Sequence, residues 1–178
     1  MTEFAPRYDP QTLHESYADP EAVRARTMQL RAEVRDALDV IDELRARGEL
    51  VDYLRGLGDL DNALTEARRA VDRADIDGNA AQQHMARLRL AHVHQWRGEF
   101  ADSNLIGTEL LAVATQFGPV IEAFTRQQAG ENDYDQGHWS DAREHFARAL
   151  EIRTELELDE AATSRLAVDA VQRRVAQQ

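Results

Sequence analysis

The sequence AGENDYDQGHWSDAREHFARA, residues 129–149, places a glycine turn between two stretches that have a helical spacing of small and apolar residues. Trp139 follows Gly137 by two residues, and further small or aromatic residues follow at steps of three and four, namely Ala142, Phe146 and Ala149. Steps of this size put side chains on one face of a helix. The stretch therefore predicts two helices that meet at Gly137.

The same pattern begins twice more, at Gly58 and at Gly98, so the three turn glycines are separated by 40 and 39 residues. The positions five, nine and twelve residues after the first two glycines also carry small or apolar residues, which are Ala63, Ala67, Ala70, Ser103, Gly107 and Leu110. A near-constant period of this size is typical of stacked helix pairs. Since no stretch alternates Val, Ile and Thr in the manner of a strand, the sequence predicts an all-α fold.

These repeats resemble the tetratricopeptide repeat, which has an apolar–small pair in its first helix and spaced alanine and aromatic positions in its second. In the third copy, Ala129-Gly130 supplies that pair. The resemblance covers residues 44–156 and implies a right-handed superhelical stack of antiparallel helix pairs, that is, a TPR-like α-solenoid. The period exceeds the family's usual length of about 34 residues, which predicts lengthened helices.

Turn and capping signals divide the chain. Asp19-Pro20 places a capping carboxylate before a proline at the first helical position. Residues 1–18 contain two of the four prolines, and we expect them to form a flexible segment before a single domain at 19–178. That domain is predicted to comprise an N-terminal helix at 20–47, repeats at 44–78, 79–118 and 119–157, and a capping helix at 159–176.

The N-terminal helix carries apolar residues seven apart over residues 21–51, in the manner of a coiled-coil seam. They are Val23, Leu30, Ala37, Leu44 and Val51. One interpretation is a long helix that packs this stripe on the first repeat, and the other is a homodimer formed through the seam. Whether the helix breaks at Gly48 stays open, because the residues around Gly48 resemble those around Gly98.

Composition excludes several classes of function. The net charge of −12 and the pI near 4.9 disfavour nucleic acids and anionic membranes, which need a cationic face, so a basic or cationic peptide is the easier partner. The chain has no cysteine, and all 21 of its basic residues are arginine, which excludes thiolate chemistry, a Schiff-base lysine and a phosphate-binding GK[ST] loop. Without a membrane-length apolar run or a signal peptide, we expect a cytoplasmic protein.

No catalytic or cofactor-binding motif is present: the sequence has neither a G-x-S-x-G elbow nor an H-E-x-x-H pair. His92 and His94 diverge on a helix, and His138 and His145 share a face without an evident third ligand. We therefore expect no enzyme, no cofactor and no metal. The acidic run Glu131, Asp133, Asp135, Asp141 and Glu144 is interpreted as a solvated face, with a weak cation site or a cationic partner surface as the alternative.

The resemblance implies that a partner binds in the concave groove lined by the first helices of successive pairs. The corresponding positions are Arg45, Asp52, Arg55, Met85, Leu88, His92, Gln95, Phe124, Gln127, Glu131 and Tyr134. Their mixture of apolar, amide and charged side chains suits a peptide. The leading hypothesis is therefore a protein-interaction scaffold, with a groove covered by the chain's own N-terminal segment, a homodimer, or a ligand- or peptide-sensing regulatory domain as alternatives.

One position departs from the family. The aromatic residue of the first helix is replaced in all three copies by arginine, at Arg47, Arg87 and Arg126. These arginines either pair with acidic residues of the adjacent helix or form a row that binds anions.

Overall fold

A computed structural model describes Phe4 and residues 6–177 of the chain. Over these residues the prediction of an all-α fold is confirmed. The helices are α1 (Pro20–Asp36), α2 (Val40–Gly56), α3 (Leu60–Asp77), α4 (Ala80–Trp96), α5 (Phe100–Val113), α6 (Pro119–Gln136), α7 (Trp139–Glu155) and α8 (Ala161–Val175), with a 3₁₀ turn at Ala114–Phe117. Two two-residue strands, β1 (Arg7–Tyr8) and β2 (Glu15–Ser16), pair with each other. None of the described helices combines the length and the apolarity that crossing a membrane requires.

The chain forms two compact units. Unit 1 comprises His14–Glu99 and the described part of Met1–Arg7, and in it α1 to α4 pack each on the next, while α2 also packs on α4. Unit 2 comprises Tyr8–Leu13 and Phe100 onward, and in it α5 to α8 pack in the same successive way. Each unit is therefore a set of four consecutive helices with a short piece of the N-terminal segment.

The three turn glycines have the same local structure. Gly58, Gly98 and Gly137 have φ values of 76°, 73° and 80°, in the left-handed region that glycine enters without a steric penalty. At the third turn, the amide of His138 donates to the carbonyl of Asp133 at 2.9 Å, and equivalent bonds close the other two turns. These bonds satisfy the last carbonyl groups of each helix, which explains why a glycine with positive φ follows the ends of α2, α4 and α6.

The predicted helix at 20–47 differs from the structure, in which α1 ends at Asp36 and α2 begins at Val40. Leu38 between them is 98% exposed, and the Asp39 carboxylate caps α2 by accepting from the amide of Asp42 at 2.9 Å. Gly48 lies inside α2 and does not break it. Its missing side chain makes room for Arg89, whose guanidinium carbon lies 2.7 Å from the position of a Cβ atom at residue 48.

The apolar seam of residues 21–51 is divided between these two helices. Val23, Leu30 and Val51 are fully buried inside unit 1, whereas Ala37 and Leu44 are half-buried. Because α1 packs on α2, the buried residues of the seam serve that contact. A homodimer would have to use other side chains.

The ends of the chain are described in part. The flexible segment expected at 1–18 includes residues 1–3 and 5, which lie outside the described residues. Gln178, at the other end of the chain, also lies outside them. Residues 7–17 contain both strands, and Leu13 is buried in the core of unit 2.

The core of unit 2 is built around Phe146 on α7. Its side chain is fully buried and packs with Ala142, Tyr134 and the apolar face of α8. Gly130 on α6 lies directly against the ring, because a Cβ atom at residue 130 would be 2.6 Å from ring carbons of Phe146. Gly107 on α5 is also buried, but a Cβ atom there meets nothing within 4 Å.

We expect alanine to have opposite effects at these two glycines. Alanine in place of glycine inside a helix normally stabilises by about 1 kcal/mol, and Gly107→Ala should raise the free energy of unfolding by about that amount. Gly130→Ala should lower it by about 1–2 kcal/mol, because overpacking against a buried ring outweighs the helical gain. Urea unfolding followed by circular dichroism measures both, and an equal gain at both positions would contradict the packing described for Gly130.

Candidate functional site

The face of unit 1 formed by α2 and α4 is built around Arg55. This side chain is only 4% exposed, and its guanidinium group donates to the carboxylates of Glu15 and, at 3.1 Å, Asp52. It also lies over the ring of Trp96 on α4, 5.4 Å from the ring centroid. A buried guanidinium group requires such partners, so Arg55 joins α2, α4 and the N-terminal segment.

The N-terminal segment His14–Tyr17 lies on this face, which we call the α2–α4 face. The ring of His14 stacks on Trp96 with centroids 4.3 Å apart, and the ring of Tyr17 meets Tyr53 edge-on at 5.6 Å. Gly56 provides the space for Tyr17, because a Cβ atom at residue 56 would be 2.6 Å from its ring. The face therefore holds a short extended segment between two aromatic contacts and one buried ion pair.

Ionisation of the α2–α4 face follows from this packing. Burial and the nearby Glu15 carboxylate raise the pKa of Tyr17 well above its ordinary value, so its hydroxyl stays protonated. Burial raises the pKa of Asp52, but Arg89 and Arg55 together outweigh this and hold it below its ordinary value. Such a carboxylate stabilises the fold above the ordinary aspartate pKa of about 4, and the contribution is lost as the pH falls through the lower folded value.

The predicted groove residues of unit 1 lie in different environments. Arg45 is exposed and 3.6 Å from Asp42, while Leu88 and Gln95 are buried and Met85 is half-buried. His92 meets the ring of Trp96 edge-on at 6.4 Å. The structure thus brings Asp52, Arg55 and His92 together at the α2–α4 face and leaves Arg45 apart from these contacts.

The predicted groove residues of α6 are bonded inside unit 2. Gln127 donates to Glu131 at 2.8 Å and accepts from Ser164 of α8 at 2.7 Å. The guanidinium group of Arg153 lies 5.2 Å from the ring centroid of Phe124. Tyr134 is buried, and its hydroxyl donates to the carbonyl oxygen of Gln11 at 2.7 Å. This stripe of α6 faces α8 and the segment Tyr8–Leu13, and partner binding by these residues stays a prediction.

Two of the three arginines that recur at corresponding positions of the three copies pair with the adjacent helix. Arg47 donates to Glu66 on α3, and Arg87 donates to Asp75 on α3 at 2.8 Å. Arg126 instead contacts Glu122 on its own helix and His145 on α7, at 3.9 and 3.3 Å. The expected pairing with acidic residues is confirmed for Arg47 and Arg87.

Unit 2 contains a polar cavity of about 360 Å³ between α5, α6 and α7. Its lining consists of Asn104, Gly107, Thr108, Leu111, Gln128, Ala129, Asn132, Asp133, Asp141 and His145. Asp133 lies between two histidines, with Oδ1 3.6 Å from Nδ1 of His138 and Oδ2 3.7 Å from Nε2 of His145. The two histidines that the sequence places on one face therefore both approach one carboxylate.

The protonation of His145 can be deduced from its neighbours. Burial lowers its pKa, which favours the neutral ring at neutral pH. The guanidinium group of Arg126 can only donate, so Nδ1 of His145 accepts from it. The ring proton then resides on Nε2, which faces Asp133.

Sequence reasoning missed Asn104, Gln128 and Asn132 as a set, and it treated Asp133 as part of a solvated acidic run. A signal was present in the spacing. Polar residues stand four apart on three consecutive helices, at 104 and 108, 128 and 132, and 141 and 145. Each pair lies on one face of its helix, which is the arrangement that lines a polar cavity.

Both candidate sites are described from the structure of this chain alone, because comparison with known proteins gives no assignment for either. No protein-family model matches the chain, and no curated protein matches it either.

Proposed function

We propose that this protein is a non-enzymatic interaction module that binds an extended peptide on the α2–α4 face. The observation that supports the proposal is the segment His14–Tyr17, which lies there in the structure. It acts as the intramolecular occupant of a peptide-binding surface. A partner peptide with the same chemistry, a carboxylate flanked by aromatic rings, would replace it.

The chemistry of the face favours such a ligand. Arg55 presents a buried guanidinium group, which binds a carboxylate through charge-assisted hydrogen bonds. The rings of Trp96 and Tyr53 add large apolar contacts at little entropic cost. The occupant includes the two-residue strand Glu15–Ser16, so a displacing peptide needs no folded structure of its own.

The acidic chain as a whole favours cationic partners, but Arg55 makes the α2–α4 face a local exception. The expectation of a cationic partner therefore does not apply to this face, because the guanidinium group of Arg55, and not the net charge of the chain, determines which ligand charge is bound there. The tetratricopeptide resemblance and the right-handed superhelical stack that it implies belong to this proposal. They agree with the packing of consecutive helices within each unit and with three equivalent glycine turns.

A labelled peptide with the sequence of residues 12–19, TLHESYAD, tests the proposal. The full chain carrying His14→Ala, Glu15→Ala and Tyr17→Ala has a weakened intramolecular occupant, and fluorescence anisotropy should show saturable binding of the peptide to it. The wild-type chain should bind the peptide less tightly, because its tethered segment competes at a high effective concentration. Adding Arg55→Met to the triple variant should weaken binding about tenfold or more.

The matched control is a peptide in which glutamine replaces the glutamate. It has nearly the same shape but no charge at this position. It should bind the triple variant about as weakly as the original peptide binds the variant that also carries Arg55→Met. Absence of saturable binding to the triple variant, or equal binding of the two peptides, would refute the proposal.

A further inference from the structure

Two side chains that line the cavity of unit 2 carry buried hydrogen-bonding atoms to which the described residues offer no partner. Gln128 and Asn132 on α6 are 4% and 6% exposed and both line the cavity. The amide nitrogen Nε2 of Gln128 and the amide oxygen Oδ1 of Asn132 make no hydrogen bond with any described residue. Buried polar atoms are nearly always satisfied, so this donor and this acceptor require complementary groups from water or from a ligand in the cavity.

Neighbouring side chains fix the orientation of the Asn132 amide. Its Nδ2 atom donates to Oδ1 of Asn104 at 2.5 Å. Asn104 in turn exchanges hydrogen bonds with Gln136, each of 3.0 Å. Because this network uses the nitrogen of Asn132, its oxygen remains as the acceptor.

The charge at the cavity is negative. Asp133 and Asp141 both line it, and burial, with a contribution from Asp141, raises the pKa of Asp133 although both nearby histidines oppose this. The ring of His145 is neutral, and the guanidinium group of Arg126 contacts its Nδ1 atom, on the side of the ring away from Asp133. A cation beside Asp133 would offset the cost of keeping this carboxylate ionised away from water.

A metal ion fits this cavity less well than an organic cation. Among the described residues around it, no three His, Asp or Glu side chains bring their ligand atoms within 4.8 Å of one another. Amide groups and apolar residues such as Leu111 and Ala129 form much of the lining. A volume of about 360 Å³ is at the small end of cavities that hold organic ligands.

We propose that the cavity between α5, α6 and α7 binds an alkyl guanidinium group next to a carbonyl group, as in an arginine side chain with its own carbonyl. The guanidinium group donates to Asp133 and to Oδ1 of Asn132, and the carbonyl oxygen accepts from Nε2 of Gln128. A guanidinium group suits several acceptors at once because it has five donors in a plane, and it is less strongly hydrated than an ammonium group. The methylene groups pack on Leu111 and Ala129. This proposal does not depend on the segment His14–Tyr17.

Isothermal titration of the full chain with Nα-acetyl-L-arginine amide tests this proposal, with the citrulline analogue as an uncharged probe of nearly the same shape. We expect saturable binding of the arginine probe at one site, and binding of the citrulline probe weaker by about tenfold or more. Free L-arginine distinguishes the source of the ligand. Binding of free arginine as well indicates a metabolite site, and binding of the capped probe alone indicates an arginine residue of a peptide.

Two variants place the binding in the cavity. Asp133→Asn should weaken it about tenfold, whereas Asp169→Asn removes an exposed carboxylate of the same unit on α8 and should change it by less than about twofold. Gly107→Leu should abolish binding by filling the cavity, because a Cβ atom at residue 107 has open space around it. Circular dichroism checks that each variant is folded, and Gly107→Ala gives a milder change if the leucine variant is not.

Three results would overturn the proposal: no heat of binding from either arginine compound, equal affinity for the citrulline probe, or an affinity unaffected by Asp133→Asn. Saturable binding of Zn²⁺ at this site without binding of the arginine compounds would also overturn the proposal.

Discussion

Replacing Phe146 by alanine is expected to lower the free energy of unfolding by about 3–5 kcal/mol. The ring is fully buried in unit 2 and packs on both α6 and α8, so its removal leaves a cavity in the contact between three helices. Urea unfolding of the full chain measures the change. If the two units unfold in separate transitions, the loss should be confined to one of them.

Leu105→Ala is the matched control, because it deletes a large apolar side chain of the same unit at a position that is 63% exposed. It should change the free energy of unfolding by less than about 0.5 kcal/mol. A comparable loss in both variants would contradict the central position of Phe146.

The Phe146→Ala variant also tests the close approach of Gly130. Gly130→Ala is expected to destabilise the wild-type chain because of the ring, but in the Phe146→Ala background the new methyl group enters empty space. The same substitution should then stabilise the helix, and a double-mutant cycle should give an interaction energy of about 1–3 kcal/mol. Additive effects would mean that the two residues are not in contact.

The sequence predicted the helices best where a glycine must adopt a positive φ. Gly58, Gly98 and Gly137 each follow the end of a helix by one or two residues, because a left-handed residue is a local requirement that the sequence shows directly. Gly48 resembles them in its neighbours but lies inside α2. What distinguishes it is Arg89, a contact across 41 positions of the sequence that no local pattern reveals.

The break between α1 and α2 was missed for a related reason. Residues 37–39 contain neither glycine nor proline, and the apolar spacing continues through them. The capping carboxylate of Asp39 is a signal for a helix start, but it competes with a regular period of seven. The exposure of Leu38 and Ile41 shows that the apolar residues next to the break are not used in packing.

The candidate sites depend on contacts that spacing alone does not determine. The sequence singled out Arg55 as a groove residue, but the identity of its partner Glu15, 40 residues earlier, follows only from the docked segment. On α6, the stripe at 127 and 131 and the stripe at 128 and 132 differ by about 100° around the helix. The stripe at 127 and 131 is buried, and the stripe at 128 and 132 lines the cavity. Both facts depend on where α5 and α8 lie.

Replacing Arg55 by methionine should lower the free energy of unfolding by about 3 kcal/mol, because breaking a buried ion pair leaves a charge without compensation. Glu15 loses its guanidinium partner, whereas Asp52 keeps Arg89 at 3.1 Å. The matched control is Arg45→Met on the same helix, since Arg45 is exposed and exposed pairs contribute less than about 1 kcal/mol.

The loss from Arg55→Met has an upper limit, because the segment His14–Tyr17 can leave the α2–α4 face and return Glu15 to water. Hydrogen exchange at residues 14–17 should therefore become faster in this variant while exchange in the core of unit 1 changes less. Adding Glu15→Gln removes the uncompensated charge and should recover a large part of the loss, since a neutral amide costs less to bury than a carboxylate. If the double variant is no more stable than Arg55→Met alone, the ion pair does not hold the segment on the face, and the aromatic contacts of His14 and Tyr17 carry its docking.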